Sequence, residues 1–223
     1  MEKTLSISGL EDIEIENTSI EEIDSEEVML IFVGIDESGS MRDYKEDGTM
    51  EQCLKDFKDA LLNSKEAEKI LIVRANFASN YDIGGYKPIS EFATDYESYG
   101  LTVLYDVIFE GSEKLLDYRQ FLKNNGHRVK AVFAIFSDGI NEGSKHHMRD
   151  ALTCIKRLNA AEVITSFLCF SPNSENEAKD LEFRNILKVG TSPSELRRGF
   201  DCLSKSLIEV SQNVIDPDDF FNM

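Results

Sequence analysis

Residues 28–41 read VMLIFVGIDESGSM, an apolar run closed by Asp36 and followed at once by hydroxyls and a glycine. A continuous apolar run without polar alternation is how a strand buried on both faces reads. Such strands belong to parallel sheets with helices packed on either side. The oxygens behind the run stand at alternate positions, Asp36, Ser38 and Ser40, in a loop that Gly39 lets bend sharply. That arrangement is either an ordinary strand-to-loop turn or one half of a metal site.

Working outward, similar runs follow at KILIVRANF (69–77), VKAVFAIFSD (129–138) and EVITSFLCF (162–170), with a weaker one at ILKVG (186–190). IGGYKPI (83–89), with two glycines and a proline, reads as an irregular edge strand. Helical stretches lie between the runs. MEQCLKDFKDALLNS sets Met50, Leu54, Phe57 and Leu61 on one face. TVLYDVIFEGSEKLLDYRQFLKNNG is a longer helix or helix pair, MRDALTCIKRLNA a third, and SPSELRRGFDCLSKSLIEVSQ a fourth, opened by Ser192, Pro193 and Glu195 as cap, first-turn proline and capping-box acid. Strands alternating with helices predict an α/β fold: a doubly wound, mostly parallel, Rossmann-like central sheet with helices on both faces and one antiparallel edge strand.

The 223 residues, 41% of them hydrophobic, suit one domain over 28–212. Residues 1–27 form an acidic extension with ten acids against Lys3, either a solvated lead-in or, from the alternation of Leu5 with Ile7 and Ile13 with Ile15, a short hairpin. Residues 213–223, with Asp216, Asp218 and Asp219 beside Phe220 and Phe221, read as a frayed end or an acidic, aromatic docking peptide. A net charge of −18 argues against nucleic acid and anionic membranes as partners, since both would be repelled. Cys53, Cys154, Cys169 and Cys202 show no paired spacing and read as buried thiols of a reducing compartment. With no leader pattern at the start and no apolar run of roughly 18 residues, a soluble cytoplasmic protein is expected.

In an open α/β sheet, ligands bind beyond the carboxyl ends of the strands. Asp36 and Asp138 each end a predicted strand, and two carboxylates on one rim repel unless a cation lies between them. Hydroxyl, carboxylate and water are hard donors, so the expected guest is Mg²⁺, with Mn²⁺ as its substitute. Mg²⁺ asks for about six oxygens at roughly 2.1 Å, and Asp36, Ser38, Ser40 and Asp138 supply four.

DESGSM (36–41) resembles the DxSxS motif of von Willebrand factor type A (vWA) domains, the metal-ion-dependent adhesion site. GLTVLYD (100–106) is similar to that family's threonine segment, with Thr102 as the third hydroxyl, and FSDGIN (136–141) to its closing Asp-Gly segment, with Asp138 as the distant carboxylate. The likeness covers about residues 28–212 and suits an intact site in a stand-alone cytoplasmic domain. It implies that Ser38, Ser40 and Thr102 touch the metal directly, that Asp36 and Asp138 act through water, and that a Glu or Asp of a partner protein completes the coordination. It further implies a non-enzymatic interaction module, working beside an AAA+ ATPase or in a stress or defence system, whose last helix shifts when the site fills. Glu37, Gly39, Asn76, Ser79 and Gly139 are expected to line the site.

The alternative is a Mg²⁺-dependent hydrolase or nuclease of ribonuclease H-like type, with GIDESGS as its first acidic strand. That fold opens with a β-meander and needs three or four convergent carboxylates. The chain shows no nucleophile elbow and no P-loop. His146 and His147 read as a surface pair opening the third helix, and Asp43, Glu46 and Asp47 as a solvated loop or a weaker second cation site.

Overall fold

The computed structural model of the protein describes residues 26–139, 141–190, 192–213 and 217–221. The alternating pairs at 5–7 and 13–15 lie outside them. Strand β1 (Glu27–Asp36) leads through α1 (Arg42–Glu46) and α2 (Thr49–Leu62) to β2 (Ile70–Phe77), β3 (Tyr81–Ile83) and β4 (Lys87–Pro88). Then follow α3 (Leu104–Asn124), β5 (Arg128–Ser137), α4 (Met148–Ala160), β6 (Ile164–Cys169), α5 (Pro172–Asp180), β7 (Asn185–Lys188) and α6 (Pro193–Gln212). The sheet has seven strands in the order β3-β2-β1-β5-β6-β7, with β4 also beside β2. β1 pairs parallel with both β2 and β5, and β6 and β7 continue the parallel set. The antiparallel edge consists of β3 and β4, both paired with β2 and separated by Gly84, Gly85 and Tyr86. Pro88 is tolerated there because an edge strand can spare an N–H.

The uninterrupted apolar character of β1 has a direct cause. Met29, Ile31, Val33 and Ile35 face a core built with Leu54 and Phe57 of α2 and Leu203 and Leu207 of α6. The alternate residues, Val28, Leu30 and Phe32, face a second core with Ile108 and Leu115 of α3 and Ile155 of α4. Both faces of the strand are therefore dry, and no polar alternation survives.

Two helices approach their supports at glycines. A Cβ on Gly111 of α3 would stand 2.3 Å from the Phe32 ring, and one on Gly199 of α6 would stand 2.6 Å from Val189 Cγ2. Phe32 in turn stacks on Phe133 of β5 with ring centroids 4.5 Å apart. The longer helical stretch, read as a helix or helix pair, is one helix, α3, seated on the middle of the sheet.

The last described residues contribute to the core, a role their sequence did not suggest. Phe220 is fully buried in the α2/α6 cluster. Asn185 holds it there: its Nδ2 donates to Pro217 O at 2.7 Å and its Oδ1 accepts from Phe220 N at 3.2 Å. Burying such a ring is worth roughly 2–3 kcal/mol, which outweighs the fraying expected of a terminal segment. Helix α5 was also not anticipated. PNSENEAKD offers only Ala178 as a buried apolar residue, too little for a helical period, although Ser171 and Pro172 mark its start and Ser171 Oγ accepts from Ser174 N. Among the described residues no helix is long and apolar enough to cross a membrane.

Candidate functional site

After β1 the chain builds β2 on one side and then crosses to place β5 on the other side. The carboxyl ends of β1 and β5 therefore flank the point where strand order reverses, the crevice where open α/β sheets hold ligands. Asp36 ends β1 and Asp138 follows β5 directly.

The oxygens meet in a short chain. Ser38 N donates to Asp36 Oδ1 at 2.8 Å, folding the loop back on its own first residue. Ser38 Oγ lies 3.0 Å from Ser40 Oγ, and Ser40 Oγ donates to Asp138 Oδ1 at 2.8 Å. A Cβ built on Gly139 would stand 3.3 Å from Thr102 Oγ1 and 3.8 Å from Asp36 Oδ2. Because Gly139 has no side chain, the space among these oxygens stays open. Asp36, Ser38 and Thr102 are buried and Ser40 is exposed, so the cluster has a closed floor and one open side.

Electrostatically the cluster is short of positive charge. Burial pushes the Asp36 carboxyl up to about 6, against the pull of hydrogen bonds from Ser137 and Ser38, and the charge of Asp138 adds a smaller push. Burial also raises Asp138, opposed by the hydroxyl of Ser40. Two carboxylates raised in this way, with three hydroxyls and no histidine or thiol among them, form a donor set suited to a small hard dication. Among the described residues no group of three or more His, Cys, Asp or Glu side chains converges as a metal site.

The loop that carries the site is tied to residues 92–103, a strap without helix or strand. Tyr96 OH donates to Asp36 O at 2.6 Å, Ser98 Oγ to Ser38 O at 2.7 Å and Tyr99 N to Glu37 O at 2.7 Å. Gly39 N returns a bond to Gly100 O at 3.0 Å. The strap is itself tied down by Arg74 of β2. Its guanidinium donates to Ala93 O (2.8 Å), Asp95 O (2.6 Å), Asn76 Oδ1 (2.6 Å) and Glu37 Oε1 (3.1 Å).

No protein-family model and no curated protein matches the chain. Solved structures do. The chain is similar to the pilus adhesin SpaC from Lactobacillus rhamnosus GG in its open conformation, at 12% identity and a TM-score of 0.62 over 87% of this chain and 31% of that one. It thus spans about a third of the adhesin's length. It is also similar to the vWF domain of the type V pili tip protein Mfa5 from Porphyromonas gingivalis, at 8% identity and a TM-score of 0.59, covering 85% of this chain and 98% of that one. Against the VWA domain of SpRpn10 the identity is 10% and the TM-score 0.52, over 85% and 100% of the two chains. The fold is that of vWA domains.

On this vWA scaffold the expected residues divide into two groups. Asp36, Ser38, Ser40, Thr102, Asp138 and Gly139 come together at the rim. Glu37, Gly39, Asn76 and Ser79 serve the frame: Glu37 and Asn76 bind Arg74, Gly39 N donates to Gly100 O, and Ser79 Oγ accepts from Leu101 N at 2.9 Å just before Thr102. Sequence reasoning did not anticipate the parts played by Ser137, whose Oγ donates to Asp36 Oδ2, or by Tyr96, Ser98 and Arg74. Ser137 adjoins Asp138, which is a local hint; Tyr96 and Ser98 act on backbone carbonyls far away in sequence, and Arg74 on carbonyls and side chains of several segments, which leaves no pattern.

The adjacent histidines His146 and His147 have separate places in the vWA frame. His147 is the N-cap residue of α4. His146 sets Nδ1 2.8 Å from Asp106 Oδ1 and stacks on Phe109 with centroids 4.0 Å apart. Asp106 also accepts from Lys145 N and His146 N, at 3.0 and 2.8 Å, and so anchors the loop that follows Asp138. Asp47 Oδ1 accepts from Thr49 N at 2.8 Å where α2 begins, while Asp43 and Glu46 are exposed.

Proposed function

We propose that the protein is a metal-dependent protein-interaction module in which Asp36, Ser38, Ser40, Thr102 and Asp138 hold Mg²⁺ or Mn²⁺. The observation that carries this reading is the convergence of two burial-raised carboxylates and three hydroxyls around a space that a side chain at Gly139 would fill. The ion supplies an electrophilic point to which a carboxylate from outside can bond. The chain's own residues orient the hydroxyls, keep the floor dry and spread little negative charge directly onto the ion. A Glu or Asp of a partner protein is the matching ligand. Because the whole chain carries −18, the partner's acid is best set in a basic surface, which cancels the long-range repulsion.

The ribonuclease H-like alternative loses its structural premise. β1 pairs parallel with both neighbours, whereas that fold opens with an antiparallel meander.

Calorimetric titration of Mg²⁺ and Mn²⁺ into metal-free protein tests the proposal, run beside Thr102→Val and Asp138→Ala. One site in the wild type that both substitutions abolish is the expected result. No binding by the wild type, or binding that both variants retain, overturns it. A pull-down with wild type and Asp138→Ala, each with Mg²⁺ or EDTA, then separates metal-bridged partners, including any AAA+ ATPase, from background.

A further inference from the structure

At the opposite end of the sheet, where β5 and β6 begin, a cleft of about 300 Å³ opens between α3, the turn before β6 and the end of α6. Its charged lining is Arg119, Lys130 and Glu162, over an apolar floor of Val129, Ile164 and Val210. Arg119 Nε is buried and has no hydrogen-bond partner among the described residues. A buried guanidinium N–H left unmade is costly and asks for an acceptor. Lys123, one turn further along α3, feels burial and the charge of Arg119, both of which push it down. Lys130 Nζ is already engaged, donating to Val210 O at 2.9 Å, Asn213 O at 3.3 Å and Ser211 O at 3.4 Å at the end of α6. The cleft thus sets Arg119 and Lys130 against the single acid Glu162, with the exposed Lys123 just outside it, in a chain whose sum is −18.

The chain supplies a matching anion. Residues 1–25 carry eight acids against Lys3, and within EDIEIENTSIEEID (11–24) the acids are interleaved with Ile13, Ile15, Ile20 and Ile23. This segment joins the domain next to the cleft: Arg128 N, at the start of β5, donates to Glu26 O at 2.8 Å. Strands lie about 4.8 Å apart and each residue spans up to about 3.3 Å, so a few residues beyond Glu26 suffice to reach the cleft. Tethering gives the segment a local concentration on the order of millimolar, far above that of any second copy.

We propose that the cleft at the foot of β5 and β6 is the docking site for residues 1–25 of the same chain. Carboxylates of the segment meet Arg119 and Lys123, and its isoleucines lie on Val129, Ile164 and Val210. The two ends of the sheet then select acids of different origin, one from within the chain and one from outside.

Zero-length carbodiimide cross-linking of the full chain, read by peptide mass spectrometry, tests this. Cross-links from acids of 11–24 to Lys123 in the monomer fraction are expected. They should fall about tenfold in Arg119→Gln, the loss of one charge-assisted bond, persist in Arg119→Lys, and fall in the wild type as NaCl rises. The salt titration needs no variant and so stands even where a substitution disturbs folding. Absence of these links in the wild type overturns the proposal, as does their appearance only in a dimer fraction or their indifference to both salt and Arg119→Gln.

Discussion

Arg74 and Arg119 bring the same guanidinium to opposite ends of one sheet and meet opposite surroundings. Around Arg74, two carbonyls, an amide oxygen and the Glu37 carboxylate all lie within 3.1 Å, and the side chain is 9% exposed. Among the described residues, the charge opposing Arg119 is that of Glu162, and Nε has no hydrogen-bond partner. The carboxyl end of the sheet is built of irregular chain, which has no helix or ladder of its own to hold it. It needs a residue that can answer several backbone carbonyls at once, and the planar fork of arginine does so. The amino end is built of helix termini and strand starts that hold themselves. Of its cations, Lys130 holds the end of α6, while Arg119 Nε is left for something else.

Substitutions at the two arginines put the contrast to its hardest test. Arg74→Met leaves Glu37 buried without its cation and should cost about 3 kcal/mol in urea unfolding, whereas Arg119→Met should stay within about 0.5 kcal/mol of wild type. Equal losses would break the comparison. Next in size is the anchor of the loop behind Asp138. Burial alone would raise the Asp106 carboxyl, but the N–H groups of His146 and Lys145 and the His146 ring outweigh it and hold it below the usual 3.8. A carboxylate lowered by folding adds stability that is present above its unfolded value and lost as pH falls through the folded one. Asp106→Asn should therefore cost about 1–2 kcal/mol at neutral pH, with the gap to wild type closing as pH drops below 3.8. A gap that stays constant to low pH would mean that the charge of Asp106 is irrelevant.

Smaller still, Tyr96→Phe removes one strap bond to Asp36 O and should cost about 1 kcal/mol, with weaker Mg²⁺ binding as its more sensitive readout. An effect on stability as small as that of Arg119→Met is expected for Asp138→Ala in EDTA, within about 0.5 kcal/mol, because it removes a carboxylate that repels Asp36. The same substitution should abolish the stabilisation that added Mg²⁺ gives the wild type, while leaving the salt-sensitive cross-links at the other end untouched.

Much of this was legible in the residues. β1, β2, β5 and β6 declared themselves because burial on both faces removes polar alternation, and α2, α4 and α6 because one face of each meets the sheet. The rim cluster was legible because Asp36, Ser38 and Ser40 adjoin in sequence and the ends of parallel strands share one side of the sheet. The strap was not, since Tyr96 and Ser98 bind carbonyls some 60 positions away and a carbonyl is present at every residue. Phe220 was hidden for a related reason: its partner Asn185 lies 35 residues earlier, and three aspartates nearby suggested solvent.

The glycine of α6 has a mechanical consequence. Where Gly199 sits on Val189, a side chain would come within 2.6 Å, so the helix is keyed into its support like a bolt in a notch. Sliding α6 along its axis by one turn would bring Leu196 or Leu203 to a position that admits no side chain. Small tilts of the helix would cost little, but a full-turn displacement would first have to lift it clear of Val189. Any signal sent from the rim through α6 would arrive as a discrete event with a threshold.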